Sequence, residues 1–194
     1  MKSSFSVFIL FSLLIFSSAR SQNYQLDQNK SSVVINGTSN LHDWEIEVQE
    51  YEASLVVDRH EEQIDKLSQL KFLAVAESLS SGKGGMDKNT YKALQTERFE
   101  QINFQQTAPE HLQNTSVGNY KARISGTLEI AGHKESVILD VNLAQEENNL
   151  WLRGTHKLNM EDYEVEPPKA LFGTIKTGAT VEIDFELFFT AKTL

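Results

Sequence analysis

The hydrophobic positions of the chain alternate with polar ones in short runs from residue 32 almost to the C-terminus. The clearest run covers residues 44–48, where Trp44, Ile46 and Val48 are separated by glutamates. Strict alternation of this kind is typical of a strand with one buried face. Similar runs lie at about residues 33–35, 53–57, 70–76, 102–104, 120–130, 137–143, 150–154 and 181–189. The pattern therefore predicts about eight short strands joined by hairpin turns.

The fold class follows from what separates these runs. Polar and glycine-containing turns connect them, and no helical pattern recurs between them. Parallel sheets need a crossover connection, usually a helix, between consecutive strands. We therefore predict a single all-β domain, built as a closed antiparallel barrel or a sandwich. A chain of 194 residues is long enough for one such domain with one core.

Two segments interrupt the alternation. Residues 78–99 begin with a glycine-rich turn and continue as an amphipathic pattern, which predicts one short helix at about residues 87–97. Residues 162–178 contain Pro167 and Pro168, which bar this segment from a central strand. A sheet needs no such helix to close, and the apolar residues of the second segment must be buried against something. Both segments are therefore candidates for the rim of a cavity.

The N-terminus has the layout of a secretory signal peptide. A weakly basic start is followed by an apolar run at residues 5–16 and by small residues. This run is about twelve residues long, whereas a membrane-spanning helix needs roughly 20. We therefore expect residues 1–21 to be a cleaved signal peptide, with cleavage after Ala19 or Ser21, and residues 22–194 to be the domain. The mature protein is then periplasmic or secreted, and no transmembrane segment is predicted.

The net charge argues against several classes of partner. The chain carries 18 basic and 27 acidic side chains, a formal charge of −9, and loss of Lys2 and Arg20 with the signal peptide would make it more acidic. Such a surface repels nucleic acid and anionic membranes. We therefore predict no nucleic-acid partner.

Cysteine is absent from the sequence. This excludes disulfides, thiol catalysis and cysteine-ligated metals.

The histidines form no recognisable metal or catalytic pattern in the sequence. None stands at a metal-ligand spacing from another. His42 and Asp43 are neighbours, but adjacent residues of a strand point to opposite faces. We therefore predict no metal, no cofactor and no catalytic residue, and a structural or capping role for the histidines. They are His42, His60, His111, His133 and His156.

The glycine-rich turn carries fragments of two enzyme motifs. Ser80 and Lys83 match S-x-x-K, and residues 176–178 match K-T-G, as in penicillin-recognising serine enzymes. That serine must open a helix, whereas glycines follow it here, and the S-D-N element between the two motifs is missing. Residues 82–85 also lack the spacing of a nucleotide-binding P-loop. Two interpretations stay open: a lysine-rich, anion-attracting turn beside a helix N-terminus, or a capped and solvated helix.

Four segments stand in a characteristic order and spacing: residues 37–44 (GTSNLHDW), 78–99, 126–134 (GTLEIAGHK) and 167–178. Together they resemble the YceI-like family over about residues 32–190. The resemblance implies an exported, eight-stranded antiparallel barrel of lipocalin type, with the short helix near its mouth. It also implies an apolar lumen that holds a polyisoprenoid chain, belonging to an isoprenoid quinone or a polyprenyl phosphate. The family has no established common catalytic residues, so none is assigned.

The chain departs from the more familiar members of that family at two places. One is the segment at residues 41–44, and the other is the mid-chain helix, where Ala93 and Leu94 replace a histidine-leucine pair. Both departures bear on the identity of the ligand rather than on the fold.

The favoured hypothesis is a non-enzymatic binding or carrier protein for an apolar, isoprenoid-type lipid. An eight-stranded barrel is wide enough to fill with side chains or to hold one slim ligand. Each buried CH₂ contributes roughly 0.8 kcal/mol, so a tail of a few isoprene units could bind without a specific polar contact. We expect the helix to cover one end of the barrel as a lid, with its apolar side chains turned inward and its lysines outward. The expected contacts of the apolar chain are Trp44, Ile46, Phe72, Met86, Tyr91, Leu94, Phe99, Phe104, Leu171 and Phe172, and those near a head group are Lys83, Lys88 and Lys176.

Two alternatives from other classes stay open. One is a structural or partner-binding β domain with a fully packed interior, in which residues 78–99 form a docking surface. The other is an enzyme on an amphipathic substrate, with His42 or His133 as the general base, although the sequence offers no supporting triad or metal set. The oligomeric state is also open, and a homodimer is compatible with the sequence.

Overall fold

The computed structural model describes residues 20–60, 63–170 and 173–192. Within them lie one α-helix, α1 (Gly84–Leu94), and short 3-10 turns at Gln28–Lys30, Ala76–Ser78 and Met160–Tyr163. The strands are β1 (Arg20–Leu26), β2 (Ser32–Ser39), β3 (Trp44–Val48), β4 (Tyr51–His60), β5 (Gln63–Val75), β6 (Leu79–Ser80), β7 (Gln101–Gln106), β8 (Glu110–His111), β9 (Gln113–Ser116), β10 (Asn119–Ile130), β11 (His133–Glu146), β12 (Asn149–Asn159), β13 (Lys169–Ala170) and β14 (Ile175–Ala191).

The predicted signal peptide lies almost entirely outside the described residues, which begin at Arg20, so its cleavage stays a prediction. Among the helices of the described residues, none is long and apolar enough to cross a membrane.

Eight of the strands form a closed antiparallel barrel. Their order around the wall is β1-β4-β5-β7-β10-β11-β12-β14, and β1 pairs with β14 as well as with β4. The ring closes at Tyr24, which stands opposite Leu55 on one side and Ala191 on the other. Closure removes the free strand edges that an open sheet would expose. The prediction of an eight-stranded antiparallel barrel is therefore confirmed, and the sandwich is not formed.

The last strand, β14, is long enough to pair with other strands at both ends of the barrel. β14 covers 17 residues; its C-terminal end pairs with β1, whereas its N-terminal half pairs with β2. β2 pairs in turn with β3, and β3 with the two-residue β6. β2, β3 and β6 therefore extend the wall at this end beside β14, and α1 is the next element after β6 along the chain.

Strand structure begins earlier in the C-terminal segment than the prolines suggested. Pro167 and Pro168 lie outside every described strand, but β13 pairs with the first two residues of β14, so that Ala170 stands opposite Ile175. The prediction that residues 162–178 interrupt the strand pattern is therefore wrong for their last part. Proline lacks an N–H group but keeps its carbonyl, and the Pro168 oxygen accepts a hydrogen bond from the Thr177 N–H at 3.2 Å.

The helix begins and ends three residues before the predicted bounds of 87 and 97. Asp87 explains the early start, because its Oδ1 accepts hydrogen bonds from the Ser81 N–H (2.8 Å) and hydroxyl (2.6 Å). These bonds tie the first turn to the residue that follows β6. The two glycines at positions 84 and 85 are thereby drawn into the helix. Gln95 ends the helix in the left-handed conformation, with φ of 53°.

One end of the barrel is filled with side chains. Its largest fully buried members include Leu55, Val57, Leu67, Ile124, Leu143, Leu150 and Phe189. Beyond them Arg59 closes the end, because its guanidinium donates to the Tyr24 hydroxyl (2.8 Å) and to the Gln145 side-chain oxygen (3.0 Å). Burial of each large apolar side chain stabilises the fold by about 1.5–3 kcal/mol. The packed half can therefore support a second half that is not filled.

Candidate functional site: the cavity under the helix

The other half of the barrel is hollow. It encloses a cavity of about 500 Å³ beneath α1, a size within the roughly 300–1,000 Å³ range of small-molecule sites. The wall is built from inward-facing residues of the strands, every second position along each. Its apolar members on the strands are Val33, Ile35, Trp44, Ile46, Val48, Leu70, Phe72, Ala74, Leu79, Ile102, Phe104, Leu128, Ile130, Leu139, Leu152, Leu158, Ile175, Val181, Ile183, Phe185 and Leu187.

Glycines on the inner wall help to keep this space open. A Cβ atom built on Gly154 would lie 2.6 Å from the ring of Phe185, the residue opposite it on β14. The ring of Phe104 covers Gly126 on β10 in the same way. Glycine allows another group to approach its backbone closely. These aromatic side chains therefore lie along the wall instead of filling the lumen.

The helix supplies the roof of the cavity. Met86, Ala93 and Leu94 line the space from α1, together with Asn89 and Thr90. Their spacing of three or four residues places them on one face of a helix. The roof is thus an amphipathic helix with its apolar stripe turned toward the lumen.

Polar side chains collect where the strands end at the mouth of the cavity. Lys83 and His42 line it there, with Ser39, Lys169 and Thr177. The Nδ1 atom of His42 donates to the Asp43 carbonyl oxygen at 2.7 Å. The Lys169 ammonium pairs with the Glu166 carboxylate at 2.7 Å, and this hydrogen bond lowers the pKa of Glu166 and raises that of Lys169. The mouth is therefore polar and partly basic, whereas the wall is apolar.

A comparison with known protein families decides what kind of barrel this is. The model of the YceI-like domain matches residues 24–189, which begin within β1 and end within β14. The chain belongs to the YceI-like family. The resemblance seen in the sequence motifs is therefore confirmed over nearly the whole YceI-like barrel. No curated protein matches the chain in a sequence comparison.

Several solved structures have the same architecture. BcnA of Burkholderia cenocepacia is 17% identical, with a TM-score of 0.68 over 84% of this chain and 98% of BcnA. A polyisoprenoid binding domain from Saccharophagus degradans, implicated in plant cell wall breakdown, is 13% identical with a TM-score of 0.67, covering 87% of this chain and 98% of that domain. A YCEI protein of Campylobacter jejuni is 13% identical with a TM-score of 0.56, covering 77% and 85%. Identities this low show a shared YceI-like fold alone.

The structure brings part of the predicted contact set to the cavity of this YceI-like barrel. The predicted contacts that line it are Trp44, Ile46, Phe72, Met86, Leu94 and Phe104, with Lys83 at the mouth. Leu171 and Phe172 lie outside the described residues. Contact of any of these residues with a ligand stays a prediction.

Four predicted site residues do not line the cavity. The Tyr91 hydroxyl donates to the Leu79 carbonyl oxygen at 3.0 Å and so ties α1 to β6. Phe99 packs instead under the β10–β11 turn, against Gly132, whose φ of 80° requires glycine. Lys88 is exposed on α1. Lys176 stands on β14 between two residues that line the cavity, but does not line it itself. The expectation that Tyr91 turns into the lumen is therefore corrected.

Sequence reasoning also missed parts of the wall. The alternation on the twelfth strand was followed only to Gly154, but β12 runs on to Asn159, and the same alternation brings His156 and Leu158 to the cavity. Tyr163 follows on the 3-10 turn and is fully buried, which raises the pKa of its phenol to about 12, with smaller effects from nearby carboxylates. Continuing the period-two pattern past Gly154 would have found the first two.

The two histidines that the enzyme hypothesis names lie apart in the described ranges, because His42 lines the cavity and His133 does not. Those ranges contain no cluster of three or more His, Asp or Glu side chains that could hold a metal ion. His133 pairs with Glu164, 3.4 Å between Nε2 and Oε2, away from the cavity wall that contains His42.

Proposed function

We propose that this protein binds an apolar, isoprenoid-type lipid in the cavity and carries it as an exported protein. The main observation in support of this proposal is the apolar lumen of about 500 Å³ under α1, in a chain of the YceI-like family. The structurally similar domain from Saccharophagus degradans is described as polyisoprenoid binding. The lipid would be an isoprenoid quinone or a polyprenyl phosphate.

In this proposal, the favourable free energy of binding comes from burial of the lipid chain against the apolar wall. Each CH₂ group removed from water contributes roughly 0.8 kcal/mol, so a five-carbon isoprene unit contributes up to about 4 kcal/mol. Association and ordering of the lipid cost an estimated 4–15 kcal/mol. A chain of a few units is therefore enough for tight binding without any polar contact in the lumen.

A head group would lie at the mouth in this proposal. Lys83 is the first candidate to contact it, because this residue lines the cavity and precedes α1. An ammonium group attracts a phosphate and donates hydrogen bonds to carbonyl oxygens. The cavity counts against the alternative of a fully packed β domain.

The experiment that tests the proposal is native mass spectrometry of the full chain, purified from its host without detergent, followed by solvent extraction. We expect a co-purified isoprenoid lipid in roughly one copy per protein. The proposal fails if the protein is reproducibly free of lipid and takes up neither farnesol nor a longer isoprenoid added in excess.

A further inference from the structure

His156 is a polar residue in an apolar part of the cavity wall. It lies on the inner face of β12 with Leu158 beside it and Ile183 opposite it on β14. Across the sheet the same row continues with Ile35 on β2 and Ile46 on β3. The cationic residues of the cavity, by contrast, lie at the mouth.

The imidazole of His156 has no protein partner among the described residues. Neither ring nitrogen takes part in a hydrogen bond or ion pair there. Among the described residues, every side-chain nitrogen or oxygen that is fully shielded from solvent has a hydrogen-bond partner. The ring nitrogens of His156 are therefore not sealed in the wall, and they are reachable from the cavity that the residue lines.

A molecule bound in the cavity can supply the partner that the described residues do not. A neutral imidazole offers one N–H donor and one acceptor nitrogen. Burial lowers the pKa of His156, which keeps the ring neutral at neutral pH. A neutral ring in an apolar wall suits a neutral oxygen, whereas a phosphate placed there would bring an uncompensated charge out of water.

We propose that His156 hydrogen-bonds a neutral hydroxyl or carbonyl oxygen of the bound lipid inside the cavity and so selects oxygen-bearing neutral lipids. This inference rests on the proposed lipid binding. It narrows the ligand to a neutral lipid and places the lipid oxygen at His156 in the lumen rather than at Lys83 at the mouth. His156 is then a specificity-determining residue, because the apolar wall by itself does not distinguish an isoprenoid alcohol from the corresponding hydrocarbon.

The test compares three probes of equal chain length: farnesol, farnesene and farnesyl phosphate. Their affinities for the full chain are measured by tryptophan fluorescence, since Trp44 lines the cavity. We expect the native protein to bind farnesol about tenfold more tightly than either other probe, as one hydrogen bond allows. His156→Leu should abolish the preference over farnesene and leave farnesene affinity within about twofold, and His156→Gln should retain most of the preference.

Several results would overturn the inference. They are equal binding of farnesol and farnesene by the native protein, an undiminished preference in His156→Leu, equal losses for both lipids, or tighter binding of farnesyl phosphate than of farnesol. If the native protein binds none of the probes, the inference fails. If it also takes up no longer isoprenoid, lipid binding itself fails, which separates the two proposals.

A second measurement does not depend on a variant. Nitrogen-15 NMR of the native protein should show that farnesol shifts the His156 ring resonances and farnesene does not. Unchanged His156 resonances on saturation with farnesol would contradict the hydrogen bond.

Discussion

The indole ring of Trp44 in β3 lies directly over Gly37, the residue opposite it in β2. Its Nε1–H donates to the Thr38 carbonyl oxygen at 3.0 Å, which fixes the ring against the wall. A Cβ atom at position 37 would overlap the indole. The pair therefore shapes the cavity: glycine on one strand lets the largest side chain of the next lie flat.

Gly37→Ala should destabilise the protein, because the added methyl group and the indole cannot occupy the same space. We expect a loss of about 1–3 kcal/mol in the free energy of unfolding, as for other overpacked interiors. Gly84→Ala is the control, since a Cβ at this helical position meets nothing within 4 Å, and it should be neutral or stabilising by about 0.5–1 kcal/mol. Urea unfolding followed by tryptophan fluorescence measures both. Equal effects of the two variants would refute the packing explanation.

The Asp87–Ser81 hydrogen bonds should hold the roof of the cavity in place. Asp87→Ala removes the acceptor of two short bonds, and we expect a cost of about 1–2 kcal/mol to the helix, comparable to loss of a cap. Hydrogen exchange at the amides of α1 should accelerate about tenfold or more, with little change in the packed half of the barrel. Lys88→Ala, an exposed position on the same helix, is the control. Uniform acceleration over the whole barrel would argue against a local role.

Filling the cavity from its roof should prevent lipid uptake. Ala93 lines the lumen, so Ala93→Trp would place an indole where the isoprenoid chain is proposed to lie. We expect farnesol affinity to fall at least tenfold, since several CH₂ groups lose their place and each contributes roughly 0.8 kcal/mol. Lys92→Trp, at the neighbouring exposed position, should bind as the native protein does. Normal binding by Ala93→Trp, with native circular dichroism and thermal midpoint, would place the ligand elsewhere.

Among the tyrosines whose pKa is raised in the structure, Tyr163 should ionise last. Burial raises its pKa to about 12 from the ordinary value of 10.0. The folded state therefore holds this proton longer than the unfolded state. The resulting stabilisation is full below pH 10 and is lost as the pH rises through about 12. The difference in ultraviolet titration between the native protein and Tyr163→Phe should show one phenol ionising near 12; a midpoint near 10.0 would contradict the burial.

Export should remove the N-terminal apolar run. We expect the intact mass of protein from its host to correspond to cleavage after Ala19 or Ser21. Cleavage after Ala19 would leave all of β1, which begins at Arg20, whereas cleavage after Ser21 would remove its first two residues. Leu14→Arg should interrupt the apolar run and leave the precursor uncleaved. A mature protein that retains residue 1 and the rest of the run would exclude the signal peptide.

Much of the barrel could be predicted because alternation is a local property. Trp44, Ile46 and Val48 show their buried face within five residues of sequence, and β3 occupies the predicted residues. The helix was also visible locally, from the glycine turn and the amphipathic run after it. Its displacement by three residues depended on Asp87 reaching back to Ser81, a side-chain contact that propensity does not contain.

The sequence by itself determined which residues turn inward in alternating runs such as residues 44–48, and that a helix interrupts these runs. Only the tertiary structure decided that β1 meets β14, that one half of the enclosed space is packed and the other hollow, and that Ala93 rather than Tyr91 faces the lumen. The physical reason is that a period of two assigns a side chain to a face of the sheet. What that side chain then meets depends on strands far away in sequence, whose register and curvature place glycines such as Gly37 beneath aromatic rings.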